Sequence, residues 1–251
     1  MKKLLLITLL VITHFAVNAQ MTTPIWTKHL NVAVFVYPGV GLGDLNGPVD
    51  VFTKAGGITK GQYKVYTVAF KADPIKTQGG TLKITPDYTM ANMPKPDILV
   101  FPGGTVGLAD SMRHDPQVIN FIKEQRNKVE LLMSICTAAY FVGQAGVFDG
   151  HKVTTHFFQG DDLQAQFPKS TVVRDVRFVD EGNLVTASGV TSGIDASLHL
   201  VARFSGERVE KIVEGALQYV MHEQDKWPEA TGGMKFDRAW REKMGLLRPV
   251  N

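Results

Sequence analysis

Four stretches of this chain read as near-continuous apolar runs rich in β-branched and aromatic residues: Asn31 to Tyr37 (NVAVFVY), Tyr63 to Phe70 (YKVYTVAF), Ile98 to Phe101 (ILVF) and Glu130 to Ile135 (ELLMSI). Apolarity that does not alternate suits strands covered on both faces. Between and after them lie helical patterns: Pro48 to Ala55, Pro116 to Lys128 with Asp115 placed as its cap, Thr137 to Ala145, and Gly206 to Met221. The last carries Val209, Ile212, Val213, Ala216, Leu217 and Val220 at the spacing of one apolar stripe. Strands alternating with helices predict an α/β domain built on a doubly wound, mostly parallel sheet. Shorter pieces, Thr81 to Thr85, Val172 to Asp175, Arg177 to Val179 and Leu184 to Thr186, read as added hairpins that decorate that sheet. At 251 residues, with 44% hydrophobic and 20% charged residues, the chain is long enough to bury one large core, and its composition is not that of a disordered, collagen-like or disulfide-scaffold protein.

The beginning of the chain has its own logic. Lys2 and Lys3 precede an apolar stretch, Leu4 to Val17, which leads to Val17-Asn18-Ala19. Fourteen residues fall short of the roughly 20 that span a bilayer, so residues 1–19 read as a secretory signal cleaved after Ala19 rather than as an anchor. The expectation is a periplasmic or secreted protein with no membrane attachment after cleavage. Its mature balance is then 25 basic against 24 acidic residues, a surface that offers nucleic acid little to hold. Residues 30–222 read as the folded domain. Residues 223–251, with Trp227, Phe236 and Trp240 scattered around Gly232 and Gly233, read as an irregular C-terminal arm.

Export makes the single cysteine, Cys136, conspicuous, because an unpaired thiol in an oxidising compartment forms no internal bridge. A small buried hydrophobe is one reading of it. Its neighbours favour another: Leu131 to Gly143 (LLMSICTAAYFVG) is a strand running straight into a helix of small residues, with Cys136 at the junction. Such a nucleophile elbow lifts the side chain above the sheet edge, where unpaired N–H groups of the helix start favour thiolate and the Thr137 N–H can hold developing negative charge. The PGG of Pro102, Gly103 and Gly104 follows the ILVF strand and brings backbone N–H groups close to a ligand, with Gly104 read as the second donor. Pro38 to Pro48 reads as a loop that carries Asp44 toward the same crevice at the carboxyl ends of the strands. Asp50 reads as serving the first turn of the helix that Pro48 opens. His156 is a lone histidine after a strand. His151 and His156 lack partners at ligand spacing, so no metal is expected, and no G-x-x-x-x-G-K-[ST] phosphate loop is present.

Four blocks, GDLNGPVDVF, DILVFPGG, SICTAAYFVGQAGVFDGHKVTTH and GNLVTASGVTSGIDASLHLV, occur in the order and spacing of the ThiJ/PfpI superfamily, also called the Parkinson-associated deglycase superfamily. The chain resembles its isonitrile hydratase branch most, through D-L-x-G-P-x-D-V and C-T. The resemblance implies a flavodoxin-like fold, a homodimer, Cys136 as nucleophile, Asp44 as acidic partner, Thr137 as catalytic assistant and His156 near the pocket. It also implies cofactor-free hydration or hydrolysis of a small carbon–nitrogen substrate. The alternatives are glyoxalase or deglycase-like chemistry on small 2-oxoaldehydes, or a non-enzymatic ligand-binding or redox-sensing module. Thr137 stands where PfpI-type proteases have histidine, which disfavours proteolysis. The 29 residues after His222 are too few for the DNA-binding units of the regulators in the same branch.

Overall fold

The computed structural model describes residues 28–222 and Gln224; the signal-type segment 1–19 and the rest of the arm lie outside the described residues. The strands β1 (Leu30–Phe35), β2 (Tyr63–Ala69), β3 (Tyr88–Thr89), β4 (Ile98–Phe101), β5 (Leu131–Ile135), β6 (Phe178–Asp180) and β7 (Leu184–Ala187) form one sheet. Its order is β6-β7-β5-β4-β1-β2-β3. Every neighbouring pair is parallel except β6 with β7. The helices are α1 (Leu42–Ile58), α2 (Val106–Arg113), α3 (Pro116–Arg126), α4 (Ala139–Gln144), α5 (Gly160–Gln166), α6 (Ser192–Ser205) and α7 (Glu207–Leu217). Helices α1, α6 and α7 pack together, as do α2, α3 and α4, and the two groups flank the sheet. This covering is why the central strands are apolar without alternation: every residue of β4, β5 and β7 is buried.

The chain leaves β1 toward β2 in one direction and, from β4 onward, adds strands in the other. The strand order therefore reverses between β1 and β4, and the crevice outside their carboxyl ends is where folds of this kind hold ligands. Phe35 and Phe101 at those ends pack ring to ring with centroids 5.6 Å apart, and Phe121 of α3 closes over both. A rigid aromatic floor thus lies beneath the loops of the crevice.

Several expectations are revised. The hairpin of Arg177 to Val179 with Leu184 to Thr186 is present as β6 against β7, but it is no decoration: β7 also pairs in parallel with β5, so the hairpin extends the main sheet and only β6 lies at the edge. Thr171–Val172 pairs in parallel with Lys152–Val153 rather than forming a hairpin. The piece at Lys83–Ile84 does make a hairpin with Ile75–Lys76. The predicted Thr137 to Ala145 helix begins as a 3₁₀ turn at Cys136–Ala138 before α4. In α7, Val209 and Val213 are buried, whereas Ile212 is exposed, as is Val220 beyond the helix, so the buried stripe is narrower than the sequence suggests.

The start of α1 matters most. The helix opens at Leu42 rather than at Pro48, and Pro48 lies inside it. An interior proline removes an N–H from the helical ladder and costs a few kcal/mol (about 3), and Gly41 supplies no side-chain cap. Tertiary contacts hold the turn instead: Gly41 N–H donates to the Gly103 carbonyl at 2.8 Å, and Leu45 N–H to the Gly41 carbonyl at 3.0 Å. Asp44 therefore rides on the first helical turn, not on a loop. Asp50 sits further along on the exposed face, paired with Lys54 at 2.5 Å.

The far end of the domain is tied down by a buried ion pair. Arg177 Nε donates to Asp195 Oδ2 at 2.7 Å, and the other carboxylate oxygen accepts from the Tyr219 hydroxyl at 3.0 Å and from the His222 N–H at 2.8 Å. Arg177 N–H also donates to the Gln224 carbonyl at 2.7 Å. Removing one member leaves a buried charge without its partner. Asp195→Ala should lower the unfolding free energy in urea by about 3–5 kcal/mol and raise hydrogen exchange around Tyr219 and His222 before the rest of the sheet.

Candidate functional site

β5 ends at Ile135, and Cys136 follows with φ +58°, a left-handed conformation that a side chain other than glycine adopts at a cost of about 1–2 kcal/mol. The Thr155 hydroxyl holds the strained residue by donating to the Cys136 carbonyl at 2.9 Å. This is the predicted elbow. Its sulfur lines a cavity of about 410 Å³ together with Asp44, Gly104, Thr137, His156, Phe158 and Val190. Five of the sequence-derived site residues, Cys136, Asp44, Thr137, His156 and Gly104, thus border one space; Gly103 does not line it but packs against Thr137, Asp44 and Cys136.

Asp44 is 4% exposed and lies against Cys136, itself 5% exposed. Burial raises the carboxyl to about 6, although the Cys136 thiol and the Gly103 N–H both stabilise its charged form. The thiol is pushed well above its ordinary value by burial and by the negative charge of Asp44; the N–H and hydroxyl of Thr137 pull the other way and do not prevail. The expectation of a resting thiolate is therefore corrected. At neutral pH the pair is thiol plus carboxylate, one proton held between two groups, because two adjacent negative charges in a buried site are too costly. Asp44 Oδ1 has no hydrogen-bond partner, so one carboxylate oxygen stays open to a proton.

The reading of Gly104 as a free donor is also corrected. Its N–H donates to Thr137 Oγ1 at 2.9 Å, while the Thr137 hydroxyl lies 3.0 Å from the Gly104 carbonyl and can donate to it. Thr137 therefore clamps the PGG loop to the elbow. The backbone donor at the elbow is the Thr137 N–H, which is directed at the sulfur and favours its charged form. His156 is half-buried, packed against the rings of Phe157 and Phe158, with Nδ1 accepting from the Phe158 N–H at 3.4 Å. Burial lowers its pKa, so it enters the cavity as a neutral imidazole. Among the described residues no group of three or more His, Cys, Asp or Glu is arranged to hold a metal ion.

Glycine makes the close approach of acid and thiol possible. A Cβ on Gly103 would stand 2.9 Å from both Asp44 Oδ2 and Cys136 Cβ. A Cβ on Gly189, where φ is +78°, would stand 2.4 Å from Cys136 Cβ, 2.9 Å from its sulfur and 3.1 Å from Asp44 Oδ1. Sequence reasoning missed Gly189. Its signal lay in the SGVTSG that follows the buried strand β7, placing a glycine at the same sheet edge as the elbow.

Residues 30–203 match the DJ-1/PfpI family. The chain belongs to that family. Isonitrile hydratase of Pseudomonas putida is 32% identical to it over 193 residues, covering 76% of this chain and 78% of that one. The HTH-type transcriptional regulator GbdR of Pseudomonas aeruginosa is 27% identical over 165 residues, and this chain spans only 44% of that protein. Among solved structures, a ThiJ/PfpI family protein from Pseudomonas syringae superposes with a TM-score of 0.74 at 26% identity, over 91% of this chain and 89% of that one. The flavodoxin-like architecture of the DJ-1/PfpI family is thus the one observed here, with the elbow cysteine after β5 and the acid on the first turn after β1.

Two outcomes follow from this packing. Gly189→Ala forces a Cβ into the sulfur and should destabilise the fold by about 2–4 kcal/mol and slow alkylation of Cys136, as read by denaturant melts and thiol titration. Asp44→Asn should stabilise the protein at neutral pH. The folded carboxyl titrates near 6, above its unfolded value of 3.8, so the contribution of this one group to wild-type stability is greatest below that lower value and is lost as pH rises through 6. The variant's advantage should therefore be about 3 kcal/mol at most above pH 7 and vanish below pH 4.

Proposed function

We propose that this DJ-1/PfpI protein is a cofactor-free, cysteine-dependent hydratase of small carbon–nitrogen compounds, with isonitriles as substrates. The observation that carries the reading is the buried thiol–carboxylate pair sharing one proton, with one carboxylate oxygen unpartnered and both groups opening on the 410 Å³ cavity. The similarity to an isonitrile hydratase supports the choice of substrate.

The pair suits a reaction that needs a nucleophile, an acid and a base in turn. As the Cys136 sulfur bonds to the terminal carbon of R–N≡C, its proton passes to Asp44 and from there to the same carbon, leaving a thioimidate, Cys–S–CH=N–R. The regenerated carboxylate takes a proton from water, the hydroxyl adds to the carbon and Asp44 delivers the proton to nitrogen. The C–S bond then breaks, the hydroxyl proton returns to sulfur through Asp44, and an N-substituted formamide leaves. The Thr137 N–H stabilises charge on sulfur as it departs. An acid raised to about 6 is matched to this alternation, ionised at rest near neutrality yet readily protonated.

Cys136→Ala should abolish conversion of para-nitrophenyl isocyanide to its formamide, at least 10³-fold by order of magnitude, with an unchanged circular dichroism spectrum. The wild-type rate should fall as pH drops below 6, because the carboxylate is the resting base. Inactivity of the wild type across a panel of isonitriles would sink the assignment.

A second reading rests on His156. Its neutral imidazole shares the cavity with Cys136 and Asp44, which suits proton transfer across an enediol formed from a 2-oxoaldehyde. D-Lactate from methylglyoxal, lost in His156→Ala while isonitrile turnover persists, would favour it. A redox-sensing role is less well served by a thiol this buried and this weakly acidic.

The protein acts outside the cytoplasm as a homodimer. Export is supported by the basic start and the short apolar stretch before Ala19, and the dimer by membership of the family. Secreted material should begin at Gln20 on N-terminal sequencing, and light scattering should give twice the mass of one chain.

A further inference from the structure

We propose that Tyr37 is a positioning residue for Asp44, acting through the single peptide that joins Pro102 to Gly103. Tyr37 follows the end of β1 and is buried, its ring edge-on to Phe141 at 6.0 Å and tilted against Phe35 at 5.4 Å. Its hydroxyl donates to the Pro102 carbonyl at 2.7 Å. That carbonyl and the Gly103 N–H are the two ends of one planar trans unit and point in opposite directions. A grip on the oxygen therefore aims the N–H of a residue that abuts the acid: a Cβ on Gly103 would stand 2.9 Å from Asp44 Oδ2, and its backbone favours the charged form of that carboxyl. The next carbonyl along, that of Gly103, accepts from Gly41 N–H at the head of α1, three residues before Asp44. Acid and peptide are thus locked together from both sides, and Tyr37 is the outer bolt.

The chemistry adds to the geometry. A donor on an amide oxygen polarises the amide and makes its N–H a stronger donor, so the Tyr37 hydroxyl stabilises the ionised form of Asp44 at one remove. Packing alone does not call for the hydroxyl, since the neighbouring positions 35, 101 and 141 are all phenylalanine. The tyrosine stays a donor throughout the working pH range, because burial and the charges of Asp44 and Cys136 push its own ionisation well up. The groups that face Asp44 are few: Cys136 from the elbow, Tyr37 from the end of β1, the Gly103 N–H from the loop after β4, and His156 across the cavity. Among the described residues no Lys or Arg lines that cavity.

The test needs no substrate, so it stands or falls separately from the hydratase reading. Cys136 is the only thiol in the chain, and its alkylation by iodoacetamide in the full-length protein should show a step near pH 6, where Asp44 gains its charge. Asp44→Asn should erase that step; a step that survives belongs to another group and overturns the proposal. In Tyr37→Phe the step should move up by about 0.5 pH unit or more. Site-specific replacement of Tyr37 by 3-fluorotyrosine, which keeps the hydroxyl and strengthens it as a donor, should move the step down. Opposite shifts support the proposal. Unchanged midpoints, shifts of one sign, or slower alkylation with no shift show that Tyr37 only fills space. Should Tyr37→Phe fail to fold, the fluorotyrosine protein decides: a downward shift supports the proposal, and no shift overturns it.

Discussion

A carboxyl group and a thiol buried against one another are an unfavourable pair of neighbours unless they share a proton, and the crevice of this protein is organised around that constraint. Asp44 and Cys136 are each about nine-tenths or more withdrawn from solvent, in a region where two negative charges would repel strongly and each would lose its hydration. The structure resolves this by leaving one proton between them. Burial, which would be a liability elsewhere, is what makes the acid weak enough to give a proton back and keeps the thiol uncharged until something needs its electrons.

Backbone supplies what side chains cannot. Glycine stands at positions 41, 103 and 189 because a Cβ at any of them would press on the acid, the thiol or the loop between them. Cys136 itself accepts a left-handed conformation, and its carbonyl is satisfied by Thr155 from a different part of the chain. Local strain at a reactive residue is stable only where the surroundings over-determine it. Here they do so through the parallel neighbours β4 and β7, through the Thr137 clamp on Gly104, and through a helix whose first turn is anchored to the PGG loop rather than capped by its own side chains.

The electrostatics correct an argument that is sound in general and fails in this instance. The N–H groups after an elbow do favour a thiolate, and Thr137 contributes in that direction. Desolvation and the adjacent carboxylate are larger, so the sulfur is held in its thiol form. Proton inventory is the same in either description, but the carrier differs: the proton rests on sulfur, with the Asp44 carboxylate as its neighbour. The same competition explains why Gly104, which sequence suggested as an open donor, is closed: a buried N–H finds a partner, and the Thr137 hydroxyl is within reach.

Uninterrupted apolar runs such as ILVF and LLMSI, the strand-to-helix junction at Cys136, and the acid and PGG blocks were enough to establish the sheet, its parallel sense and most of the residues that border the candidate cavity. These are properties of local pattern, and local pattern is carried by neighbouring residues. What the chain order could not reveal is which distant segments press on one another. That Leu184–Ala187 pairs inside the sheet on both sides, that α1 begins six residues before its proline, that Gly189 forms a wall of the site and that the thiol is neutral all depend on contacts between residues far apart in sequence. Burial and the distance between charges exist only once the chain has closed on itself, and in this protein they set the proton's position.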